Sequence, residues 1–267
     1  MNSTMPKNGV DTHFHVFNAG VAVQGARYVP QYSALLSDWM QQSQSVGIQR
    51  GVWVQPSFLG ADNSLMLKAL QAHPDRLRGI AVVNPNAHYD ELQALHDAGV
   101  RGIRLNLASV SHDIPEWTDA HSVWEAVRRL GWHLEIHTDQ GRLPDVLAQL
   151  PSDLPLVVDH MAKPAQARAD DPSLVALIAR ARHATVYVKL SGAYRLGNVN
   201  ASQLASLWLH ELGPDALLWG SDWPCTNHEQ CADFEPLMAQ ARGWIEAEHW
   251  VQIMAINPHR LYWADGD

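Results

Sequence analysis

Residues 10–18 read Val-Asp-Thr-His-Phe-His-Val-Phe-Asn, a short apolar run that ends in two histidines placed two residues apart. A β-branched and aromatic segment of this length is typical of a buried strand. An open doubly wound sheet would place a glycine-rich phosphate-binding turn directly after such an early strand. No glycine lies between Val10 and Asn18, so the stretch favours another arrangement of parallel strands.

The rest of the chain alternates similar apolar runs with helical patterns, in which apolar residues recur every three to four positions. Eight such units in about 250 residues predict an α/β protein, a parallel eight-stranded (β/α)8 TIM barrel. We expect residues 1–267 to form this barrel as a single domain. Two further helices are predicted after the last strand, at Asp233–Ala247 and His249–Tyr262. The candidate strands are Val10–His15, Gly51–Gln55, Leu77–Asn84, Gly102–Leu107, His133–Thr138, Leu156–His160, Thr185–Ser191 and Leu217–Asp222.

The composition argues against several classes of protein. Hydrophobic residues make up 46% of the 267 residues, enough for a sizeable core. The net charge is −9 and no lysine-rich tract occurs, so no nucleic-acid partner is expected. No apolar run reaches the roughly 18–20 residues of a membrane helix, and the N-terminal MNSTMPKNG lacks the apolar core of a secretory signal. With two cysteines, Cys225 and Cys231, we expect a cytoplasmic protein without a membrane partner, and its oligomeric state stays unknown.

Polar and ionisable residues stand at the ends of most predicted strands. In a TIM barrel the active site lies at the C-terminal ends of the strands, so these side chains converge on one rim. Burying so many ionisable groups without a function would be costly, and the rim is therefore the predicted active site. Glu135 and Lys189 are interpreted differently, as a structural ion pair lower in the barrel. The rim residues are His13, His15, Arg104, Asn106, His137, His160, Ser191, Asp222 and, just past the seventh strand, Arg195.

Five blocks of sequence, in order from the first strand to the last helix, carry a family resemblance. They read DTHFHVF at 11–17, GVRGIRLN at 99–106, VDHMAKP at 158–164, WGSDWP at 219–224 and NPHRLY at 257–262. With these blocks the chain resembles the amidohydrolase superfamily, and more narrowly the lactonase branch of 2-pyrone-4,6-dicarboxylate lactonase and sugar-lactone hydrolases. The resemblance implies a hydrolase that opens a small anionic lactone, one that bears a carboxylate.

Hydrolysis of a lactone requires a general base and donors to the oxyanion, and the strand-end residues offer candidates for these roles. Asp222 would be the general base that deprotonates the attacking water and later returns the proton to the leaving oxygen. Hydrogen bonds to the developing oxyanion would come from His13, His15 and His160.

Substrate binding is expected from the arginines of the rim. Arg104 and Arg195 match carboxylate-binding positions of the family. The dicarboxylate lactonase has a second arginine six residues after the fourth-strand arginine, where this chain has Val110, so one of two carboxylate contacts is in doubt. The fifth strand also carries a histidine in place of a tyrosine. Further substrate-binding candidates are His137, Asn106 and Tyr194.

The cofactor is expected to be either none or one divalent metal such as Zn²⁺. Mononuclear amidohydrolases hold their ion with a set that corresponds here to His13, His15, His137 and Asp222. A binuclear site needs a lysine or glutamate on the fourth strand, where Arg104 and Asn106 stand. A guanidinium cannot ligate a cation and repels one nearby, so the arginine favours a metal-independent enzyme, whereas His137 favours a metal.

Two other functions remain open on the same barrel. A metal-dependent decarboxylase of an unsaturated or aromatic acid would use a similar set of histidines and aspartate, and it would release carbon dioxide. A non-catalytic barrel that binds a small acid would have no need for Asp222 beside the arginines. Conversion of a lactone, with or without added metal, distinguishes these functions.

Overall fold

Eight parallel strands follow one another around a single sheet in sequence order, each hydrogen-bonded to the next. The computed structural model describes residues 8–231 and 233–264. The arrangement confirms the predicted (β/α)8 barrel. The strands are β1 Gly9–Phe14, β2 Ile48–Val54, β3 Leu77–Ala81, β4 Val100–Asn106, β5 His133–His137, β6 Leu156–Val158, β7 Val186–Leu190 and β8 Leu217–Trp219.

The barrel closes between β1 and the residues that follow β8. The Asp222 amide donates to the His13 carbonyl at 2.8 Å, and the His15 amide donates to the Trp223 carbonyl at 2.8 Å. Lower down, the Thr12 hydroxyl donates to the Trp219 carbonyl at 2.7 Å. Closure therefore places Asp222 directly beside the two histidines of the first strand.

Helices lie between the strands along the chain, and their apolar faces pack on the outside of the barrel. Phe14 of β1, for example, stacks on Trp39 with ring centroids 4.0 Å apart. This layer between strands and helices holds most of the hydrophobic core. The helices are α1 Leu36–Ser45, α2 Ser64–Ala72, α3 Tyr89–Asp97, α4 Pro115–Thr118, α5 His121–Arg129, α6 Leu143–Leu147, α7 Pro172–Arg180, α8 Ala201–Leu212, α9 Phe234–Arg242, α10 Ala247–Val251 and α11 Asn257–Tyr262.

A second, smaller apolar cluster fills one end of the barrel interior. Tyr262 and Trp263, at the end of α11, pack against inward-facing strand residues such as Val52 and Ile80. The cluster leaves the opposite end, where the strands finish, for polar side chains. This division matches the usual TIM-barrel separation of a stabilising end and a functional end.

Several strands end earlier than the sequence predicts. Strand β3 ends at Ala81 rather than Asn84, β6 at Val158 rather than His160, and β8 at Trp219 rather than Asp222. The backbone of His160 and of Asp222 is left-handed, with φ of 49° and 58°, which is incompatible with an extended strand. These functional candidates therefore stand on turns just past the strands, not on the strands themselves.

The two helices predicted at the C-terminal end have other bounds in the structure and are broken into shorter segments. The expected Asp233–Ala247 helix starts at Phe234 and ends at Arg242, and α10 begins only at Ala247. The second helix is interrupted by a π-helical turn over Gln252–Ile256 before α11. Pro258 lies in the first turn of α11, and a proline there cannot continue the hydrogen bonds of the preceding turn.

In the described part of the chain, no helix combines the length and the apolar character required to cross a membrane. Residues 1–7, on which most of the expectation about a secretory signal rests, lie outside the described residues.

Candidate active site

A cleft of about 560 Å³ opens at the C-terminal ends of the strands. Almost all the predicted site residues line it; the exceptions are Ser191 and His13, which is fully buried beneath the floor. The predicted residues that line the cleft are His15, Arg104, Asn106, His137, His160, Tyr194, Arg195 and Asp222. The structure thus brings together side chains from six of the eight strand ends.

Asp222 lies on the floor of the cleft, and its two carboxylate oxygens have different surroundings. Oδ2 accepts hydrogen bonds from the Tyr194 hydroxyl and from Arg195 Nε, both at 2.6 Å. Oδ1 faces His15 Nε2 at 3.5 Å and His13 Nε2 at 3.7 Å. Among the described residues this buried oxygen has no hydrogen-bond partner. Oδ1 is therefore the oxygen available to a water or a cation.

The charge on Asp222 is stabilised by its neighbours. Burial alone would raise its pKa, but Arg195 and the surrounding histidines outweigh burial and hold the pKa well below its usual range. Burial also lowers the pKa of His15, and it lowers the pKa of His160 to about 3. At neutral pH the site therefore combines an ionised carboxylate with neutral imidazoles.

The tautomer of His15 follows from its partner. Nδ1 lies 2.7 Å from the Val54 carbonyl, which can only accept, so Nδ1 carries the proton. In the neutral ring Nε2 then has a lone pair directed at the cleft. This nitrogen suits a water proton or a cation, and the predicted donation from His15 to an oxyanion does not fit the neutral ring.

His160 is placed by an unusual turn. His160, Met161, Ala162 and Lys163 all have positive φ angles between 42° and 64°, so the chain makes a left-handed turn directly after β6. Left-handed backbone costs about 1–2 kcal/mol per non-glycine residue, and such strain is concentrated at functional sites. The turn brings His160 Nδ1 to 3.0 Å from the Ser191 hydroxyl and Nε2 to 3.8 Å from Asp222 Oδ2.

Gly192 makes room for this histidine. A Cβ atom there would lie 2.6 Å from His160 Nδ1, and the residue has a φ of 58°.

We expect Gly192→Ala to displace His160 and to lower kcat by about 10-fold or more, because a shift of about 1 Å at a reacting group is costly. Steady-state kinetics with a lactone substrate measure the effect. Gly131→Ala is a matched control, since Gly131 also has a positive φ but no neighbour within 4 Å of a Cβ. Equal activity of the two variants would contradict the positioning role.

A layer of buried charges lies under the floor. Lys189 Nζ contacts Glu135 Oε2 and lies 3.2 Å from His13 Nδ1, and both charged side chains are fully buried. This confirms the predicted structural ion pair. Asp159 adds a second carboxylate, with Oδ1 3.1 Å from His13 Nδ1. Gly220 leaves the space for His13, since a Cβ there would lie 2.5 Å from the His13 Cβ.

Each of the two predicted carboxylate-binding arginines already contacts a carboxylate of the protein. Arg104 Nη2 lies 3.1 Å from Asp159 Oδ2, and its Nη1 donates to the Gln55 carbonyl. Arg195 Nε holds Asp222, as described above, and its Nη2 donates to the Thr226 carbonyl at 3.1 Å. Both guanidinium groups still face the cleft, but neither is an unpaired cation.

The donor atoms of the site fit one divalent cation. His13, His15 and Asp222 each offer a ligand atom within 4.8 Å of the others. His13 Nε2 is buried and, like Asp222 Oδ1, has no hydrogen-bond partner among the described residues. Two imidazole nitrogens and a carboxylate suit Zn²⁺ or a similar ion. His137, the expected fourth ligand, does not belong to this group in the described structure, and its ring packs on His160 with centroids 4.7 Å apart.

The sequence interpretation overlooked four charged residues of the site, one of which, Asp139, lines the cleft just past β5. Asp159 stands directly before His160, and its position as the last inward-facing residue after β6 could have revealed it. Arg27 lies in the long connection between β1 and α1, and Lys163 lies at the end of the left-handed turn; both line the cleft. No periodic pattern in the sequence marks these two cations.

Comparison with known proteins identifies the family of the chain. The amidohydrolase family model Amidohydro_2 matches residues 10–262. A 2-pyrone-4,6-dicarboxylate hydrolase of Comamonas testosteroni is 32% identical, with 98% of this chain and 92% of the relative aligned. A 4-sulfomuconolactone hydrolase of Rhizobium radiobacter is 30% identical, with 97% and 91% aligned.

A solved structure from Acinetobacter baumannii, described as a probable 2-pyrone-4,6-dicarboxylic acid hydrolase with citric acid bound, superposes with a TM-score of 0.83. It is 31% identical, and the superposition covers 96% of this chain and 99% of that one. The two curated relatives are named as lactone hydrolases. The family match spans nearly the whole barrel, from the first strand to the last helix, and the chain belongs to the amidohydrolase family.

Proposed function

We propose that this protein is a lactonase that opens a small, carboxylate-bearing lactone by attack of water, with Asp222 as the general base. The observation that supports this most strongly is the asymmetry of Asp222. One oxygen is anchored by Tyr194 and Arg195, and the other is free at the floor of a cleft lined by cationic side chains. The names of the two curated relatives support the same reaction class.

The chemistry requires one proton acceptor and one proton donor. A water beside Asp222 Oδ1 would lose a proton to this oxygen while its own oxygen attacks the lactone carbonyl. His15 Nε2, with its lone pair, would orient the same water. The ring C–O bond then breaks, and Asp222 returns the proton to the leaving oxygen, which yields an open-chain acid. Every atom of the water ends in the product.

His160 is the best-placed donor to the carbonyl oxygen. When the Ser191 hydroxyl donates to Nδ1, the proton of the neutral ring is on Nε2, which points towards the cleft. A hydrogen bond to the developing oxyanion is worth several kcal/mol in such a site, about 10²–10³-fold in rate. His13 would support His15 and Asp222 from below the floor, since it does not reach the cleft itself.

An anionic substrate fits the charges that line the cleft. Arg104 and Arg195 present guanidinium groups at its inner end, and His137, Asn106 and Tyr194 complete the walls. A related protein of known structure holds citric acid, a small carboxylate compound. The partner would therefore be a small anionic lactone. The low cysteine content supports a cytoplasmic location.

We expect turnover without a metal ion. His13, His15 and Asp222 would hold one divalent cation, which when bound would polarise the carbonyl or activate a water. Arg195 contacts Asp222 and the Arg104 charge acts on His15, so a cation would be placed against two guanidinium groups. Protein purified without added metal should contain far less than one equivalent by elemental analysis and should keep its activity after chelation. Stoichiometric metal and chelator-sensitive turnover, restored by Zn²⁺, would contradict this expectation.

A screen of lactones tests the proposed function. The panel would contain 2-pyrone-4,6-dicarboxylate, 4-sulfomuconolactone and sugar-acid lactones, and acid release would be followed at constant pH. We expect turnover of at least one anionic lactone. Carbon dioxide release from an unsaturated acid, with no lactone opened, would instead favour the decarboxylase.

A further inference from the structure

We propose that Arg27 and Lys163 form a second anion subsite at the mouth of the cleft, which binds the outer acid group of a lactone that carries two acid groups. This inference rests on the proposed lactonase function and names its substrate class. The substrate would be a small ring with one carboxylate at the inner end of the cleft. A second acid group, a carboxylate or a sulfonate, would project towards the mouth.

The inner arginines leave little charge for a second acid group. Arg104 and Arg195 are paired with Asp159 and Asp222 at 3.1 Å and 2.6 Å. Both arginines lie deep, since the Arg104 side chain is 2% exposed and that of Arg195 is 16% exposed. One substrate carboxylate could share these two guanidinium groups. A second one would need positive charge that is not already neutralised by the protein.

Arg27 and Lys163 supply such charge. Both line the cleft, and neither has a carboxylate oxygen within 4.0 Å among the residues that the structure describes. Asp139, which also lines the cleft, is the acidic group that acts on both, but it forms an ion pair with neither; both its oxygens accept the Ser109 amide at 3.0 Å. Burial lowers the pKa of Lys163, Asp139 partly opposes this, and Arg195 lowers it further. Burial lowers the pKa of Arg27, and the charge of Arg104 lowers it further. A bound anion would relieve this repulsion.

The backbone places both cations at the outer part of the cleft. Lys163 is the last residue of the left-handed turn that also positions His160, so the same strained segment serves both ends of the cleft. Arg27 is exposed, and its Nη2 lies 3.5 Å from the carbonyl of Asn106, a residue of the cleft wall. Arg27 therefore lies nearer the solvent than Arg104 and Arg195, and Lys163 is partly buried and lies nearer the solvent than Arg104.

The test compares diacid and monoacid ligands. Arg27→Gln and Lys163→Gln should each raise KM for a diacid lactone such as 2-pyrone-4,6-dicarboxylate by about 10–100-fold, because each removes a charged hydrogen bond. The change in kcat/KM for a lactone with one carboxylate should stay within about 2-fold. Lys68 is an exposed lysine on α2, and Lys68→Gln is the matched control for loss of one positive charge.

Comparison of 2-pyrone-4,6-dicarboxylate with 4-sulfomuconolactone shows whether the outer group is a carboxylate or a sulfonate. Equal effects on monoacid and diacid lactones, or none on either, would overturn the subsite.

Binding without turnover separates this inference from the proposed function. Benzene-1,3-dicarboxylate and benzoate cannot be hydrolysed, and calorimetry measures their affinity for the wild-type protein and both variants. We expect the variants to lose about 10-fold or more in affinity for the diacid but to keep their affinity for benzoate. If no lactone is opened but this pattern holds, the lactonase function fails and the subsite stands. An unchanged diacid affinity in the variants, or no diacid binding by the wild-type protein, would overturn the subsite.

Discussion

Asp222→Asn should lower kcat by about 10²–10⁴-fold, the contribution expected of a general base, while the protein stays folded. The amide occupies the same volume as the carboxylate, and its oxygen can still accept from the Tyr194 hydroxyl. What it lacks is a basic oxygen at the position of Oδ1, which faces the histidines and has no hydrogen-bond partner in the described structure. The loss should therefore fall on kcat and not mainly on KM.

The measurement is steady-state kinetics with a lactone that the wild-type protein opens, together with circular dichroism and thermal unfolding. Asp153→Asn is the matched control, because Asp153 is an exposed carboxylate that pairs with Arg128 away from the cleft. We expect this control to keep wild-type activity. If Asp222→Asn retains near wild-type kcat, the base is another group.

Lys189→Met should lower the free energy of unfolding by about 3–5 kcal/mol, because it leaves Glu135 and Asp159 as buried carboxylates without their ammonium partner. Lys189 and Glu135 are both fully buried, and Lys189 Nζ lies 3.7 Å from Asp159 Oδ1. Burial raises the pKa of Glu135 and Lys189 opposes this rise, so loss of the lysine favours a neutral Glu135. Proton uptake by Glu135 would offset part of the cost.

Denaturant unfolding measures this change, and two further variants sharpen it. The double variant Lys189→Met with Glu135→Gln should recover a large part of the lost stability, since it removes the unpaired charge. Arg128→Met breaks an exposed pair with Asp153 at 2.6 Å and should cost less than about 1 kcal/mol. If Lys189→Met and Arg128→Met lower the free energy of unfolding equally, the buried layer of charges stabilises the fold no more than an exposed ion pair does.

The sequence predicted the barrel because its signals are local and periodic. Alternation of strand and helix patterns defined the eight units, and the period of two within β1 and β4 identified inward-facing pairs such as His13 with His15 and Arg104 with Asn106. The active-site rim follows from the fold, since all parallel strands end at the same edge. The buried pair of Glu135 and Lys189 was predicted on the same basis.

The remaining features depend on contacts between distant parts of the chain. The left-handed turn from His160 to Lys163 has no glycine that would signal positive φ angles, so its geometry could not be predicted. The pairing of Arg104 with Asp159 joins residues 55 positions apart. Arg27 enters the cleft from a connection without periodic structure. These contacts determine which cations pair with a carboxylate of the protein.

The mass of the product formed from an anionic lactone tests the proposed reaction most directly. Wild-type protein, incubated with 2-pyrone-4,6-dicarboxylate, 4-sulfomuconolactone and sugar-acid lactones, should yield an open-chain acid that is heavier than its substrate by one water molecule. The Asp222→Asn variant should leave the same lactone unchanged over the same time. A product lighter by one carbon dioxide, or no conversion of any lactone by the wild-type protein, would contradict hydrolysis at this site.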